Sequence, residues 1–358
     1  MKTIIVTGGG SGGHIAPIRA IVPELSQTKK ICWIGSSHFE RNSAKDLNIE
    51  FKHICSGKLR RYFSFKNITD IVRVQIGFFQ SLFFMIKHRP EKIFSTGGFV
   101  SVPVVLAGWL LHIPIIIHEQ SIGFGLANKI GGFCATKILL AFPESKKYIP
   151  KKWHDKIEVV GNPIRADLLK GKLSQLEDFL GQKLDNNKTL LYITGGGQGS
   201  ILINNVVFEN IDYLSQHYYV IHQTGKNGIV EAQSIKCDDY FPYEFINQEL
   251  ADIYTCADIV VARSGAGTVN ELAFFGIYSI FIPLQPTQDD EQMKNAEWFL
   301  KENLGQIIHQ GSFNKNSFLK NLDKITISEL RRDIGLKNTE DDSLKLLLKN
   351  FKEYHRTL

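Results

Sequence analysis

Short apolar runs alternate with polar and glycine-rich segments along most of this 358-residue chain. A short continuous apolar run that ends in a turn is typical of a strand buried in a parallel sheet. In the first half, such runs predict strands at about 3–7, 31–35, 93–96, 115–118, 137–142 and 157–160. In the second half, they predict strands at about 189–194, 219–223, 237–241, 259–262 and 279–282. Helical patterns separate these strands, so we predict an α/β fold with parallel sheets.

The segments between the strands predict helices, at about 17–26, 67–88, 103–111, 201–214, 245–257, 285–300 and 341–354. The helix at 67–88 is apolar almost all the way round its C-terminal half. It is therefore either deeply buried or has a face that rests against something apolar. The apolar stretch 99–117 contains Pro103 and Pro114, which favour a helix and a strand over a membrane span. No signal peptide is visible before the first strand.

The same strand-to-helix opening occurs twice. Thr7-Gly8-Gly9-Gly10 and Thr194-Gly195-Gly196-Gly197 are 187 positions apart, and each follows a predicted strand. The chain length also favours two domains. Because Gly161-Asn162-Pro163 has turn chemistry, we place the junction there. The expected parts are a first domain at 1–162, a second at 163–340, and a helix at 341–358 that packs back on the first.

Charge is distributed unevenly between the two halves. Residues 1–160 carry 22 Lys and Arg against 10 Asp and Glu, whereas the remaining residues carry 20 and 26. A basic half predicts an anionic partner. The basic residues match no nucleic-acid-binding module, so we expect a membrane surface and no nucleic acid. The five scattered cysteines lack metal-binding spacing and predict reduced thiols, with no metal site.

The glycine loops predict a phosphate-containing ligand. In the stretch from Ser264 to Glu271, an apolar strand is followed by a glycine turn and a helix start. The first N–H groups of a helix suit phosphate oxygens, and Glu271, one turn in, can accept hydrogen bonds from a ribose. An NAD-binding unit would place an acid at the end of its second strand, where Gly35-Ser36-Ser37 stands. This argues against NAD, and we expect no cofactor.

Ordered motifs resemble one known family over nearly the whole chain. They are Gly9-Gly10-Ser11-Gly12-Gly13-His14, Gly97-Gly98-Phe99-Val100-Ser101, His118-Glu119-Gln120, Asn128-Lys129, Gly161-Asn162-Pro163-Ile164-Arg165, Gly195-Gly196-Gly197-Gln198-Gly199, Arg263-Ser264-Gly265-Ala266 with Thr268 and Glu271, and Gln292 with Asn295-Ala296. The sequence resembles the MurG family, the N-acetylglucosaminyltransferases of bacterial cell-wall synthesis. That resemblance implies a GT-B fold, in which two Rossmann-like domains face each other across a cleft. It places UDP-N-acetylglucosamine (UDP-GlcNAc) in the C-terminal domain and the lipid acceptor in the N-terminal one.

The resemblance also implies roles for individual residues. Uracil is recognised by backbone near Ile246, the ribose by Glu271, and sugar hydroxyls by Gln292 and Asn295. The remaining donor-site residues that it implies are Ser11, Gly12, Gly13, Ser121, Arg165, Gly197, Ala266, Gly267, Thr268, Val269 and Asn270. Three of these depart from the common family pattern. Ser121 stands where the family often has Asn, Gly197 where it usually has Ser, and Ser11 where Thr is commoner.

The implied reaction inverts the configuration of an α-linked sugar to give a β-linked disaccharide. The GlcNAc is transferred to the muramoyl C4 hydroxyl of undecaprenyl-diphospho-MurNAc-pentapeptide. Such a displacement needs a base for the hydroxyl and stabilisation of the departing UDP. For the base we favour His14, because imidazole exchanges protons near neutral pH. Glu119 is the second candidate and His118 the third.

The lipid acceptor implies a peripheral enzyme on the cytoplasmic face of the inner membrane. The candidate membrane or acceptor contacts are Arg60, Arg61, Lys66, Phe79, Phe83, Lys87 and Arg89. Other cell-wall or division proteins are further candidate partners. Two alternatives stay open: an enzyme similar to UDP-GlcNAc 2-epimerase, and a non-catalytic membrane scaffold that retains the nucleotide site.

Overall fold

The structure, a computed structural model, describes residues 2–10, 12–57, 65–287, 290–301, 304–325 and 342–353, with backbone only at 65–68 and 352–353. The chain divides into two compact units. The first comprises residues 1–165 and 340–358, and the second comprises residues 166–339.

The first unit is built on a seven-stranded parallel sheet. Its strands are β1 (Thr3–Thr7), β2 (Lys30–Gly35), β3 (Glu50–His53), β4 (Lys92–Ser95), β5 (Ile115–Glu119), β6 (Lys137–Leu140) and β7 (Ile157–Val159). Its helices are α1 (Gly12–Ser26), α2 (His38–Asp46), α3 (Phe65–His88), α4 (Ser101–Leu110), α5 (Leu126–Cys134) and, from the chain's end, α14 (Asp342–Glu353). Short 3₁₀ helices span Pro143–Tyr148 and Lys151–Lys156.

The second unit has a six-stranded parallel sheet. Its strands are β8 (Thr189–Thr194), β9 (Tyr218–Gln223), β10 (Tyr240–Tyr243), β11 (Ile259–Ala262), β12 (Tyr278–Phe281) and β13 (Gly305–Ile307). Its helices are α6 (Leu173–Leu180), α7 (Ile201–Phe208), α8 (Ile211–His217), α9 (Ile229–Ser234), α10 (Leu250–Cys256), α11 (Ala266–Phe275), α12 (Glu291–Lys301) and α13 (Lys315–Leu322). Two 3₁₀ turns lie at Leu168–Lys170 and Gln310–Ser312.

The two sheets have closely related strand orders. They are β3-β2-β1-β4-β5-β6-β7 and β10-β9-β8-β11-β12-β13. The order reverses between β1 and β4 in one unit and between β8 and β11 in the other, which is the Rossmann arrangement. Ligands of such sheets bind beyond the carboxyl ends of the strands at that reversal. The predicted α/β fold, with two Rossmann-like parallel-sheet domains, is confirmed.

The helix α14 packs on the first unit. Leu347 and Phe351 are buried in the same apolar cluster as Ile4 and Phe94. The buried ammonium of Lys92 donates a hydrogen bond to the carbonyl of Phe351. These contacts hold the helix, which follows the second unit in the chain, against the sheet of the first.

Several helix boundaries differ from the prediction. The helix α1 begins at Gly12 rather than near Pro17, so His14 lies in its first turn. One predicted helix at 201–214 is two, because the Asn210 side chain donates to the Val206 carbonyl at 2.6 Å and ends α7. The helix α10 begins only at Leu250. The preceding residues form a turn whose Ile246 N–H bonds to Gln223 rather than to a helical carbonyl.

Candidate active site

The first glycine loop joins β1 to α1 and packs against the turn after β4. The N–H of Gly9 donates to the carbonyl of Gly97 at 3.3 Å. A side chain on Gly98 would come within 2.1 Å of the Gly9 oxygen, and Gly98 has a φ of +79°. Only glycine satisfies both conditions. The two loops therefore meet backbone to backbone at the carboxyl ends of neighbouring strands.

The half-buried side chain of His14 projects from this loop–helix junction. Its Nδ1 lies 2.8 Å from the carbonyl oxygen of Thr96 and 3.0 Å from Oε1 of Gln120. A backbone carbonyl can only accept, so Nδ1 carries a proton and donates it. The neutral ring then has its lone pair on Nε2, which is what a general base requires.

His118, the third candidate for the base, is fully buried at the end of β5. Its Nε2 donates to the carbonyl of Gly161 at 2.9 Å. Burial lowers the pKa of His118 to about 4, so the ring is neutral at physiological pH. The side-chain amide of Gln120 contacts His118 with its Nε2, which lies 3.2 Å from Nδ1 and 2.6 Å from the backbone oxygen.

Glu119, the second candidate, is buried among hydrogen-bond donors. One carboxylate oxygen accepts from the Ser121 hydroxyl at 3.0 Å and from the Ser121 N–H at 3.3 Å. The other accepts from the Gly125 N–H at 3.1 Å and from the Asn128 amide at 2.9 Å. Both Glu119 and Ser121 are thereby engaged within the first unit. Of the three candidates for the base, His14 alone has a partly exposed side chain.

A buried carboxylate that sequence reasoning missed supports the first loop. Glu40, on α2, accepts hydrogen bonds from the N–H groups of Gly10 at 3.3 Å, Ser36 at 2.6 Å and Ser37 at 3.0 Å. Because its carboxylate accepts hydrogen bonds from three backbone N–H groups, Glu40 stabilises the turn and is not available to bind a ribose. Its signal in the sequence is the capping-box spacing of Ser37 and Glu40 at the start of a helix.

In the second unit, the glycine turn between β11 and α11 is open. Among the described residues, no side chain caps the start of α11. A side chain on Gly265 or Gly267 would meet nothing within 4 Å. The first amides and the positive end of the helix dipole are therefore accessible to an anion.

Other members of the predicted phosphate-binding group face their own helix. The Val269 side chain is buried, and its N–H donates to the Gly265 carbonyl at 3.0 Å. The Asn270 amide donates to the Ala266 carbonyl at 2.7 Å. Gly267 and Thr268, by contrast, are partly exposed.

Glu271 is half-buried in the second turn of α11. The hydroxyl of Tyr254, on α10, donates to its Oε2 at 3.1 Å. This bond orients the carboxylate beside the glycine turn.

The turn at Ile246 is bonded to the glycine loop that follows β8, residues 195–199, which we call the third glycine loop. The Ile246 N–H donates to Oε1 of Gln223 at 2.9 Å. The Gln223 amide in turn donates to the Gly196 carbonyl at 3.0 Å and to the Thr194 hydroxyl at 3.2 Å. Of the backbone groups near Ile246 that were predicted to recognise uracil, the Ile246 N–H is thus already paired. Gly197, in the same loop, is exposed.

The residues predicted to bind the sugar differ in exposure. Asn295 is fully buried and donates to the Ser264 carbonyl at 3.2 Å. Gln292 is half-buried, and its backbone oxygen accepts from the Ser264 hydroxyl at 2.7 Å. Asn295 therefore stabilises the glycine turn from the interior of the second unit, whereas Gln292 lies closer to the surface of that unit.

Arg263, directly after β11, is a functional residue that the sequence did not predict. Its guanidinium donates to the Ser200 hydroxyl at 3.0 Å, and to the Ile282 carbonyl and Gln310 side chain at 2.9 Å each. It thus links the third glycine loop to the strands beside the α11 turn.

The first unit also has an exposed apolar surface, most of it on α3. On α3, Phe79 is 54% and Phe83 is 67% exposed, whereas Phe84 and Met85 on the opposite face are buried. Further exposed apolar side chains, which were not among the predicted contact residues, are Ile71, Val72, Ile76 and Ile86 on α3, Trp109 and Leu110 on α4, and Phe133 on α5. Thr69–His88 is long and apolar enough to cross a membrane by length and composition alone, and 22% of its apolar window is buried.

The remaining predicted residues have simpler placements. Lys87 and Arg89 are exposed at the end of α3, and Arg165 is half-buried at the end of the first unit. Gly12 is exposed and Gly13 half-buried at the start of α1. Ser11, Arg60, Arg61 and the side chain of Lys66 lie outside the described residues. Within the described part of the chain, no cluster of three His, Cys, Asp or Glu side chains could hold a metal ion.

Two family matches cover most of the chain. Residues 4–140 match the glycosyltransferase family 28 N-terminal domain, and residues 190–350 match the glycosyltransferase family 28 C-terminal domain. The boundary between the matches falls in the same region as the boundary between the two units.

Curated relatives are similar over nearly their full length. Among them are proteins from several bacteria that carry the name UDP-N-acetylglucosamine--N-acetylmuramyl-(pentapeptide) pyrophosphoryl-undecaprenol N-acetylglucosamine transferase. The one from Treponema denticola is 36% identical, over 94% of this chain and 88% of its own. The one from Clostridium perfringens is 41% identical, over 89% of this chain and 88% of its own. The crystal structure of Acinetobacter baumannii MurG has the same fold, with a TM-score of 0.74, 22% identity, and coverage of 99% of this chain and 100% of its own.

Proposed function

This chain belongs to glycosyltransferase family 28, and we propose that it transfers N-acetylglucosamine from UDP-GlcNAc to undecaprenyl-diphospho-MurNAc-pentapeptide. The product is the β-linked disaccharide lipid of peptidoglycan synthesis. Identity of 36–41% to transferases with that name, over about nine-tenths of the chain, carries the proposal. The enzyme is a GT-B glycosyltransferase.

His14 is the proposed general base. The Thr96 carbonyl holds the ring proton on Nδ1, so Nε2 can take the proton of the muramoyl C4 hydroxyl. As that O–H bond breaks, its oxygen attacks the anomeric carbon of GlcNAc on the face opposite UDP. The bond between the anomeric carbon and the diphosphate breaks, and the configuration inverts.

The second unit is the proposed donor site. The accessible N-terminus of α11 suits the diphosphate of the departing UDP. Glu271, oriented by Tyr254, suits the ribose hydroxyls. Because the Ile246 N–H is paired with Gln223, we assign recognition of the uracil N3–H to the Ile246 carbonyl. Gln292 is assigned to a sugar hydroxyl, and Asn295 to support of the turn.

The apolar surface of α3, α4 and α5 is the proposed membrane contact. A helix whose exposed face is apolar and whose end carries Lys87 and Arg89 can lie in the headgroup region of an anionic bilayer. The acceptor is anchored in that bilayer by its polyprenyl chain. We therefore propose peripheral attachment to the cytoplasmic face of the inner membrane.

The decisive experiment is transfer of labelled GlcNAc from UDP-GlcNAc to the lipid-linked muramoyl-pentapeptide, with wild type and His14→Ala side by side. Loss of a general base lowers kcat by about 10²–10⁴-fold, and UDP binding measured by calorimetry should be unchanged. His217→Ala, at an exposed histidine on α8, is the matched control and should behave as wild type.

The alternatives predict different results. Conversion of UDP-GlcNAc to its 2-epimer without transfer would indicate an epimerase on the same fold. Tight UDP-GlcNAc binding without any turnover would indicate the scaffold. Transfer by both wild type and His14→Ala would retain the function and reassign the base.

A further inference from the structure

A chain of hydrogen bonds in the first unit ends at the ring of His14. It runs from the carbonyl of Gly161 through His118 and Gln120, with contacts of 2.9, 3.2 and 3.0 Å. Of these residues, only His14 takes part in the proposed proton transfer. His118 and Gln120 are buried, so water does not replace these contacts.

The direction of every bond follows from the chemistry of its ends. The Gly161 carbonyl can only accept, so the proton of the neutral His118 ring is on Nε2 and its Nδ1 is an acceptor. The Gln120 amide donates one hydrogen to that Nδ1 and the other to the His118 carbonyl. Rotating the amide by half a turn would place its oxygen against two acceptors. The Oε1 of Gln120 is thereby directed at His14.

We propose that Gln120, oriented by His118, is a positioning residue that holds the His14 ring for proton abstraction and stabilises the imidazolium that forms. The inference rests on the proposed function, with His14 as the base. The Thr96 carbonyl and Gln120 present two oxygens to a single N–H. When Nε2 takes up the acceptor proton, the ring becomes positive, and both oxygens lie where that charge develops. Catalytic bases are commonly oriented in this way by a third group.

Burial keeps this series of hydrogen bonds in one arrangement. Since burial lowers the pKa of His118 to about 4, its Nδ1 remains an acceptor at neutral pH. Gln120 therefore keeps its amide orientation while His14 gains and loses a proton.

The kinetic test compares Gln120→Leu with Gln120→Glu. Gln120→Leu removes the acceptor oxygen and should lower kcat about tenfold, as expected for one hydrogen bond to a charged group. The KM for UDP-GlcNAc should stay within about twofold. Gln120→Glu should recover most of the loss, because a buried glutamic acid facing two acceptors is protonated. Its single O–H then donates to one of the two His118 acceptors, and its second oxygen accepts from His14.

A purely structural role predicts the opposite order. Leucine would then be tolerated, and Gln120→Glu would be the worse variant because it buries an acid. That order, or an unchanged kcat in Gln120→Leu, would overturn the proposal.

Nuclear magnetic resonance of the free protein, labelled with ¹⁵N-histidine, tests the contact without turnover. At alkaline pH, the His14 Hδ1 resonance should be downfield and protected from exchange in wild type and Gln120→Glu. It should move upfield in Gln120→Leu, whereas the resonances of His222, buried in the second unit, stay unchanged. An unmoved His14 resonance would overturn the proposal even if kcat falls.

The two arms separate this inference from the proposed function. If wild type makes no disaccharide lipid, the proposed function fails and the resonance alone decides whether Gln120 positions His14. If Gln120→Leu does not fold, as judged by the resonances of His154, which bonds to the Ile149 carbonyl in the first unit, Gln120→Met keeps the side-chain length and takes its place.

Discussion

At the scale of single residues, the partners of a side chain decide its role. Glu119 and His14 both follow predicted strands in glycine-rich surroundings, yet Glu119 accepts four hydrogen bonds and is buried. His14 is bonded at Nδ1 and partly exposed. Glu271 is intermediate, since one oxygen accepts from Tyr254 and the side chain is half-buried beside an open helix end.

Glu271 supplies a prediction at this scale. Glu271→Gln should weaken UDP binding by about 10–100-fold, because a charged acceptor for the ribose hydroxyls is lost. Tyr254→Phe removes only the orienting hydroxyl and should cost about 2–5-fold. Calorimetric titration with UDP measures both, with Glu297→Gln on the exposed face of α12 as the control. Wild-type affinity in Glu271→Gln would remove this residue from the donor site.

At the scale of elements, α3 shows how one helix can be apolar on two faces. Phe84 and Met85 pack into the core, whereas Phe79 and Phe83 point outward. The sequence pattern left a deeply buried helix and an exposed apolar face as alternatives, because both require apolar residues nearly all round. Only the position of the helix at the edge of its unit distinguishes them.

The exposed face predicts lipid-dependent behaviour. The double variant Phe79→Ser/Phe83→Ser should weaken binding to anionic vesicles at least tenfold, since burying each aromatic ring contributes about 1.5–3 kcal/mol. Co-sedimentation measures this, and transfer to a water-soluble short-chain acceptor should be unaffected. Val230→Ser, at an 80% exposed apolar residue on α9, is the control. Undiminished vesicle binding by the double variant would exclude this face as the anchor.

At the scale of the whole molecule, the chain crosses from the first unit to the second and returns. Leu347 of α14 is fully buried against the first unit, whereas its neighbour Leu346 is 39% exposed. The helix α14 therefore contributes to the stability of a unit that begins more than 300 residues earlier in the sequence.

Neighbouring leucines allow this contribution to be measured. Leu347→Ala should lower the free energy of unfolding of the first unit by about 2–5 kcal/mol, as for other fully buried leucines. Leu346→Ala should lower it by less than about 1 kcal/mol. Urea unfolding followed separately in each unit tests this, and equal effects of the two variants would contradict the observed packing.

Buried histidines make both units sensitive to acid. Burial lowers the pKa of His118 in the first unit to about 4 and that of His222 in the second to about 3. An unfolded histidine has a pKa near 6.5, so below that pH the unfolded chain binds protons that the native state does not. Stability should therefore fall as pH decreases through about 6.5 towards 4, by about 2 kcal/mol per histidine between pH 7.5 and 5.

Urea unfolding at pH 7.5 and pH 5 measures this loss. His222→Leu removes one titrating group, so the difference between the two pH values should shrink for the second unit only. An identical pH dependence in wild type and His222→Leu would show that other groups control acid unfolding.

The sequence by itself determined eleven of the thirteen described strands, the glycine loops and the division into two α/β units, but it did not indicate β3 or β13. These features are local, because an apolar run or a glycine at a strand end acts through its immediate neighbours. Helix boundaries were less predictable where a distant partner intervenes, as Gln223 does at Ile246.

The tertiary structure decided which polar residues are available for chemistry. Thr96 and Gln120, the partners of His14, are 82 and 106 positions away from it in sequence. Glu40 reaches Gly10 across 30 positions. No local sequence pattern indicates such pairings, because the sheet brings together the ends of strands that are far apart in sequence. The hydrogen bonds formed there determine which of several similar polar side chains stays available for chemistry.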